Sequence, residues 1–235
     1  MNNGARWIFT SHHLVNQYHN VLIMKETKCY GFQLEVDFGI DTLSIVFLLL
    51  AGFLMAIVVL IVVSTLYSNQ FYMVLLSLIY LSLTWTFFSM NTVWFLLAFE
   101  VILILMYFLI TNWGSKLYKI RSSFYLLLFT IFGSLFLFIA LVILYVITGS
   151  TNFILLENFQ FITNQQISLT ICFICGFGMK VPIFPFHIWL PEVHTETYTS
   201  GSVILAGILL KLGIYGFIRF TITPAIYIIN ITSMI

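Results

Sequence analysis

Six long apolar runs decide what this chain can become. They lie near residues 43–66, 71–89, 92–110, 123–147, 167–190 and 202–220. Each approaches the roughly 20 apolar residues needed to cross a bilayer as a helix. None alternates in the manner of a barrel strand, and each is too long to be one, so helices are the natural assignment. The balance of the chain agrees. Of 235 residues, 61% are hydrophobic and 7% charged, with mean hydropathy +1.09, against about 25% charged in soluble domains. The expected fold is an all-α integral membrane protein of about six transmembrane helices.

A net charge of +1 provides no basic surface able to track phosphates, which argues against nucleic acid. Cys172 and Cys175 form a C-x-x-C inside an apolar helix, without the strand-to-helix setting of a redox motif, and read as structural rather than redox or metal-binding. His12, His13 and His19 stand in a polar segment with no cysteine or carboxylate to complete a metal site. No glycine-rich phosphate loop and no H-E-x-x-H or G-x-S-x-G motif occurs. Residues 1–40 contain no span, no signal-peptide core and no Arg-rich transit pattern, and read as an extramembrane segment. A first helix is expected over 41–70, a five-helix unit over 71–220, and a tail over 221–235 too short to cross. Lys116, Lys119 and Arg121 cluster between the third and fourth spans, which assigns that loop to the bacterial cytosol or mitochondrial matrix. Alternation puts the turn with Glu192, His194 and Glu196 at the same end, and the 148–166 loop and the N-terminal segment at the other.

Three ionisable residues fall within the spans: Glu100, Lys180 and Lys211. Each costs roughly 2.5–3.5 kcal/mol at mid-membrane on an insertion scale. A Glu–Lys contact keeps both groups charged, and weakening it releases a proton from the lysine. Such a pair is either a proton switch or a static bridge between helices. Pro182 and Pro185 follow Lys180 at once and free backbone carbonyls there. A hydrated pocket is therefore expected beside Lys180. His187 either relays protons or satisfies those carbonyls. Asp41, at the mouth of the first span, reads as a helix cap, and Arg219, near the end of the last, as a snorkelling cation.

The run KVPIFPFHIWLPEVHTE, followed by GSVILAGILLKLGIYGFIRF, resembles the subunit 4 family of mitochondrial respiratory complex I, NADH:ubiquinone oxidoreductase. FGIDTLS, WFLLAFEVILILM and YKIRSSFYLLLFTIFGSLF match the same family upstream and in order, so that the resemblance covers about residues 37–222. These are antiporter-like, proton-pumping membrane subunits, similar to subunits of bacterial cation/proton antiporters. The resemblance implies a proton relay in which Glu100 modulates Lys180 in the broken helix, Lys211 leads to the central hydrophilic axis, and His187 is a further candidate. It implies no cofactor on this chain; NAD(H), FMN, iron–sulfur clusters and ubiquinone would lie elsewhere in the complex. It implies the mitochondrial inner membrane, organelle encoding, and as partners other membrane-arm subunits and lipids. The chain departs from the family pattern at Thr42, Leu105 and Tyr198, where glycine, proline and proline are usual. Family members have about 14 helices, built as two inverted repeats. Residues 71–220 align with one repeat, so a separate chain carrying the second half is expected: a split subunit. Two other readings stand beside proton pumping, a purely structural membrane-arm subunit and a cation/proton antiporter subunit.

Overall fold

A computed structural model describes residues 6–7, 18–29, 32–65, 70–115, 117–153, 156, 159 and 161–220. The expected tail 221–235, together with His12, His13 and Lys116, lies outside these residues. Among the described residues, seven helices form the body: α1 Thr42–Thr65, α2 Gln70–Phe88, α3 Thr92–Trp113, α4 Lys119–Thr148, α5 Thr163–Lys180, α6 Trp189–Glu196 and α7 Thr199–Phe220. Five described helices, α1 to α4 and α7, are long and apolar enough to cross a membrane. The expected span over 167–190 is not one continuous helix. α5 stops at Lys180, and a turn and a 3-10 segment, Phe186–Ile188, lead into α6. The broken helix foreseen from Pro182 and Pro185 is thus present. Leu105, by contrast, stands inside an unbroken α3.

The membrane body is all-α as expected, and a small sheet precedes it. Strands β1 Arg6–Trp7, β2 Tyr18–Cys29 and β3 Phe32–Asp41 form an antiparallel sheet of order β1-β2-β3 ahead of α1. Here Val21, Ile23 and Val36 favour extended backbone, and the segments are too short and polar to bury as helices.

The two ends of the bundle differ. At one, Ser115 N–H donates to the Glu196 carbonyl (2.9 Å) and Tyr118 N–H to Glu196 Oε2 (3.2 Å). This joins the loop before Lys119 and Arg121 to the turn after α6, at the one end to which alternation of the spans assigns both. At the hairpin end, β3 meets the α2–α3 corner and the segment after α4. Met90 N–H donates to the Asp37 carbonyl (2.9 Å), Phe153 N–H to that of Met90 (2.9 Å), and Thr92 N–H to that of Thr151 (2.9 Å). The Asn152 side-chain amide donates to Asp37 Oδ2.

Small residues set the helix spacing. α4 packs most extensively on α5. A Cβ on Gly133 would stand 2.9 Å from the Gly176 carbonyl oxygen, so the two backbones meet where neither residue has a side chain. Between α2 and α7, the buried Tyr72 hydroxyl bonds Ser200 Oγ. Within α7, Leu205–Leu209 is a π-turn, closed by Leu210 N–H donating to the Leu205 carbonyl. Lys211 comes two residues after Leu209.

Candidate functional site

Lys180 is the last residue of α5 and is fully buried. Its Nζ lies 3.0 Å from Glu100 Oε1 on α3. It also stands 3.6 Å from the centroid of the Phe99 ring, the neighbouring α3 residue, so a cation–π contact adds to the ion pair. Glu100 keeps 24% of its side chain exposed, which leaves one partner of the pair reachable from outside the bundle. The pair foreseen from Glu100 and Lys180 therefore exists. The hydrated pocket expected around the lysine is corrected: its ammonium is enclosed by a carboxylate and an aromatic face.

Three carbonyls in the last turn of α5 find donors. Val181 N–H donates to the Phe177 carbonyl (2.8 Å), and Ile183 N–H to that of Gly178 (2.8 Å). The Met179 carbonyl accepts from Trp189 Nε1 (3.0 Å), and Trp189 is fully buried. His187, offered as relay or carbonyl partner, bonds none of these carbonyls among the described residues. It is exposed on the 3-10 turn, its ring 5.6 Å from that of Phe184. Trp189 holds the role at Met179 that His187 was given. A buried indole needs an acceptor for its N–H, and that requirement was the available signal.

Lys211 is half-buried on α7 and makes no ion pair among the described residues. Two residues on, Gly213 admits α5: a Cβ there would meet Val181 Cγ2 at 2.8 Å and Lys180 Cβ at 3.6 Å. The helix bearing Lys211 thus runs against the backbone of Lys180.

Two readings of other charges are corrected. Asp41 precedes α1, but Ser44 Oγ accepts the Asp41 N–H (2.7 Å) while the carboxylate turns elsewhere. Its Oδ2 pairs with Arg219 Nη2 at 2.8 Å, with side-chain exposures of 14% and 6%. Arg219 does not snorkel, because β3 and the segment after α4 cover it. Its guanidinium lies 4.4 Å from the Phe153 ring, donates to Met90 Sδ (3.2 Å) and bonds the Tyr215 hydroxyl. Among the described residues, no group of three His, Cys, Asp or Glu is arranged to hold a metal. Cys172 and Cys175 are free thiols.

Known proteins share this sequence pattern and this fold. NADH-ubiquinone oxidoreductase chain 4 of Marchantia polymorpha is 40% identical over 208 residues, 84% of this chain and 42% of the relative. The chain 4 of Prototheca wickerhamii is 36% identical over 94% of this chain and 44% of the relative. The chain therefore spans less than half the length of these curated relatives. A chain in the solved respiratory complex I from Thermus thermophilus with bound NADH superposes with TM-score 0.74 at 26% identity, over 86% of this chain and 43% of that one. A chain of the membrane-bound sulfane sulfur reductase, an archaeal respiratory membrane complex, shares the fold, with TM-score 0.66 at 20% identity over 81% of this chain and 31% of the other. The model of the family described as NADH:quinone oxidoreductase/Mrp antiporter, TM, matches residues 89–235, so that Glu100, Lys180 and Lys211 all fall within it. On that match, which takes in more than half of its residues, the chain belongs to the NADH:quinone oxidoreductase/Mrp antiporter transmembrane family.

Proposed function

We propose that this chain is a proton-translocating part of the membrane arm of respiratory complex I. Lys180 and Glu100 form the proton switch, and Lys211 receives the proton. The observation that carries this reading is a fully buried lysine at the end of a broken helix, 3.0 Å from a partly exposed glutamate. At an effective dielectric constant of about 20, charges 3 Å apart attract by ~5 kcal/mol, and doubling the separation halves that. The difference is similar to the cost of holding a lysine at mid-membrane. A displacement of α3 against α5 by a few ångströms is therefore enough to let the ammonium give up its proton. A static bridge would be served by two charges. The half-buried Lys211, on the helix that Gly213 brings against Lys180, supplies the acceptor that a switch requires.

In this reading, redox energy arrives from other subunits, where NAD(H), FMN, iron–sulfur clusters and ubiquinone act, and this chain supplies only proton carriers. Its setting is the mitochondrial inner membrane, like that of a respiratory NADH-ubiquinone oxidoreductase. Its partners are the neighbouring membrane-arm subunits. The test is Lys180→Met in the assembled complex. NADH-driven proton uptake into vesicles should fall at least tenfold while the chain remains in the assembly. Normal proton uptake by an assembled Lys180→Met variant would sink the reading.

A further inference from the structure

Lys211, Tyr215 and Arg219 follow the π-turn of α7 at intervals of four residues, so they stand above one another on one face of the helix. Arg219 lies eight residues beyond Lys211, about 12 Å along the axis at 1.5 Å per residue, at the hairpin end. Tyr215 is fully buried between them, and its hydroxyl bonds the guanidinium. A proton leaving Lys211 along this face would reach the hairpin end only past Arg219.

We propose that Arg219 is a proton seal, a buried cation that keeps its own proton and closes the hairpin end of α7 to protons. The proposal rests on the reading of Lys180 and Lys211 as proton carriers, and it concerns a residue which that reading leaves idle. A guanidinium does not release a proton in proteins, so it cannot pass one on. Its positive charge in a poorly hydrated passage also opposes an incoming proton, as arginines do in selective pores. The surroundings fit a seal. Phe95, Phe153, Phe173, Phe177 and Phe220 are all buried and pack around the level of Arg219, with Phe153 and Phe220 ring centroids 4.9 Å apart. Asp41, at 2.8 Å, offsets the cost of burying the charge. The Asp37–Asn152 bond and the backbone bonds of Met90 and Phe153 fix the surrounding segments. A clasp whose task was only mechanical needs a cation of any acidity, whereas a seal needs one that keeps its proton. A lysine in this position would be a third proton carrier in line with the other two.

Passive proton conductance separates these roles. The purified assembly containing this chain is reconstituted in liposomes with an entrapped pH dye. A potassium diffusion potential is imposed with valinomycin, and no NADH is added. Arg219→Lys keeps the charge and the pairing with Asp41, so the assembly is retained, and conductance should rise several-fold over wild type. Conductance at the wild-type level in an assembled Arg219→Lys variant overturns the proposal. Asp41→Asn leaves the guanidinium in place and should stay tight. Leakage through Asp41→Asn equal to that of Arg219→Lys would show that packing alone closes this end, and would overturn it as well. Adding Lys211→Met to Arg219→Lys tells the two ideas apart. If the leak disappears, both the seal and the relay are supported. If the leak persists, the seal stands and Lys211 loses its role in the relay.

Discussion

Replacing Trp189 by phenylalanine tests how the broken helix is held. The substitution keeps an aromatic ring in a fully buried position and removes one donor, the Nε1–H that reaches the Met179 carbonyl at 3.0 Å. That carbonyl sits one residue before Lys180, and no other donor reaches it among the described residues. A buried acceptor left unsatisfied costs about 1–3 kcal/mol, and the smaller ring leaves a void that adds to the cost. Because the loss falls on the last turn of α5, it should appear as local fraying before global unfolding. An energy of 1–3 kcal/mol raises the frayed population by about 5- to 150-fold. Cys175, one turn before Met179 and a free thiol, reports on it. In a background with Cys29 and Cys172 changed to serine, Trp189→Phe should speed labelling of Cys175 by a membrane-permeant maleimide by that factor. Labelling at the wild-type rate in an assembled variant would mean that the indole does not cap the helix, and the argument for Trp189 would be lost.

Further outcomes follow from the same contacts. Lys211→Met should abolish NADH-driven proton uptake with the assembly intact, and Lys211→Arg should not restore it, because a guanidinium holds its proton; equal pumping by Met variant and wild type would make Lys211 structural. Gly133→Leu should force α4 and α5 apart, costing about 1–3 kcal/mol of overpacking, and lower the yield of assembled chain, whereas unchanged yield would refute the close crossing. Burial holds the His194 imidazole below its ordinary pKa of 6.5. Its folded value is below its unfolded one, so its contribution to stability is complete above about pH 6.5 and is lost as the pH falls. Heat inactivation of wild type should therefore quicken below pH 6.5 more than that of His194→Gln, and parallel pH curves would refute this.

What could be read from the sequence was set by cost, and what could not was set by choice of partner. Lys180 and Glu100 declared themselves because charge in hydrocarbon is expensive wherever it occurs. Their spacing in sequence, 80 residues, is bridged because Glu100 is the one carboxylate within the expected spans that can offset the charge of Lys180. Arg219 and Asp41 hid for the opposite reason. Each stands at the edge of a span, where water is assumed to be within reach, and only the cover of β3 and the segment after α4 makes them depend on one another. His187 and Trp189 show a third case: they lie two and four residues past Pro185 and both can donate, and the path of the backbone after the break decides which turns inward. The N-terminal sheet had no apolar run to announce it, being held by backbone bonds that any sequence could make.

The π-turn in α7 sets the rotational phase of everything after it. Each residue of a regular helix turns the chain by about 100°, and a π-turn accommodates one residue more than the regular winding would. Before the turn, Ser200 must face Tyr72; after it, Gly213 must face Lys180 and Arg219 must face Asp41. Wound regularly through 205–209, the same sequence could satisfy only one of these sets, and Lys211 would point about a quarter-turn away from its present bearing. The local irregularity thus acts as a spacer in angle rather than in length, and a one-residue insertion or deletion next to Lys211 would reset its bearing while leaving every residue type in place.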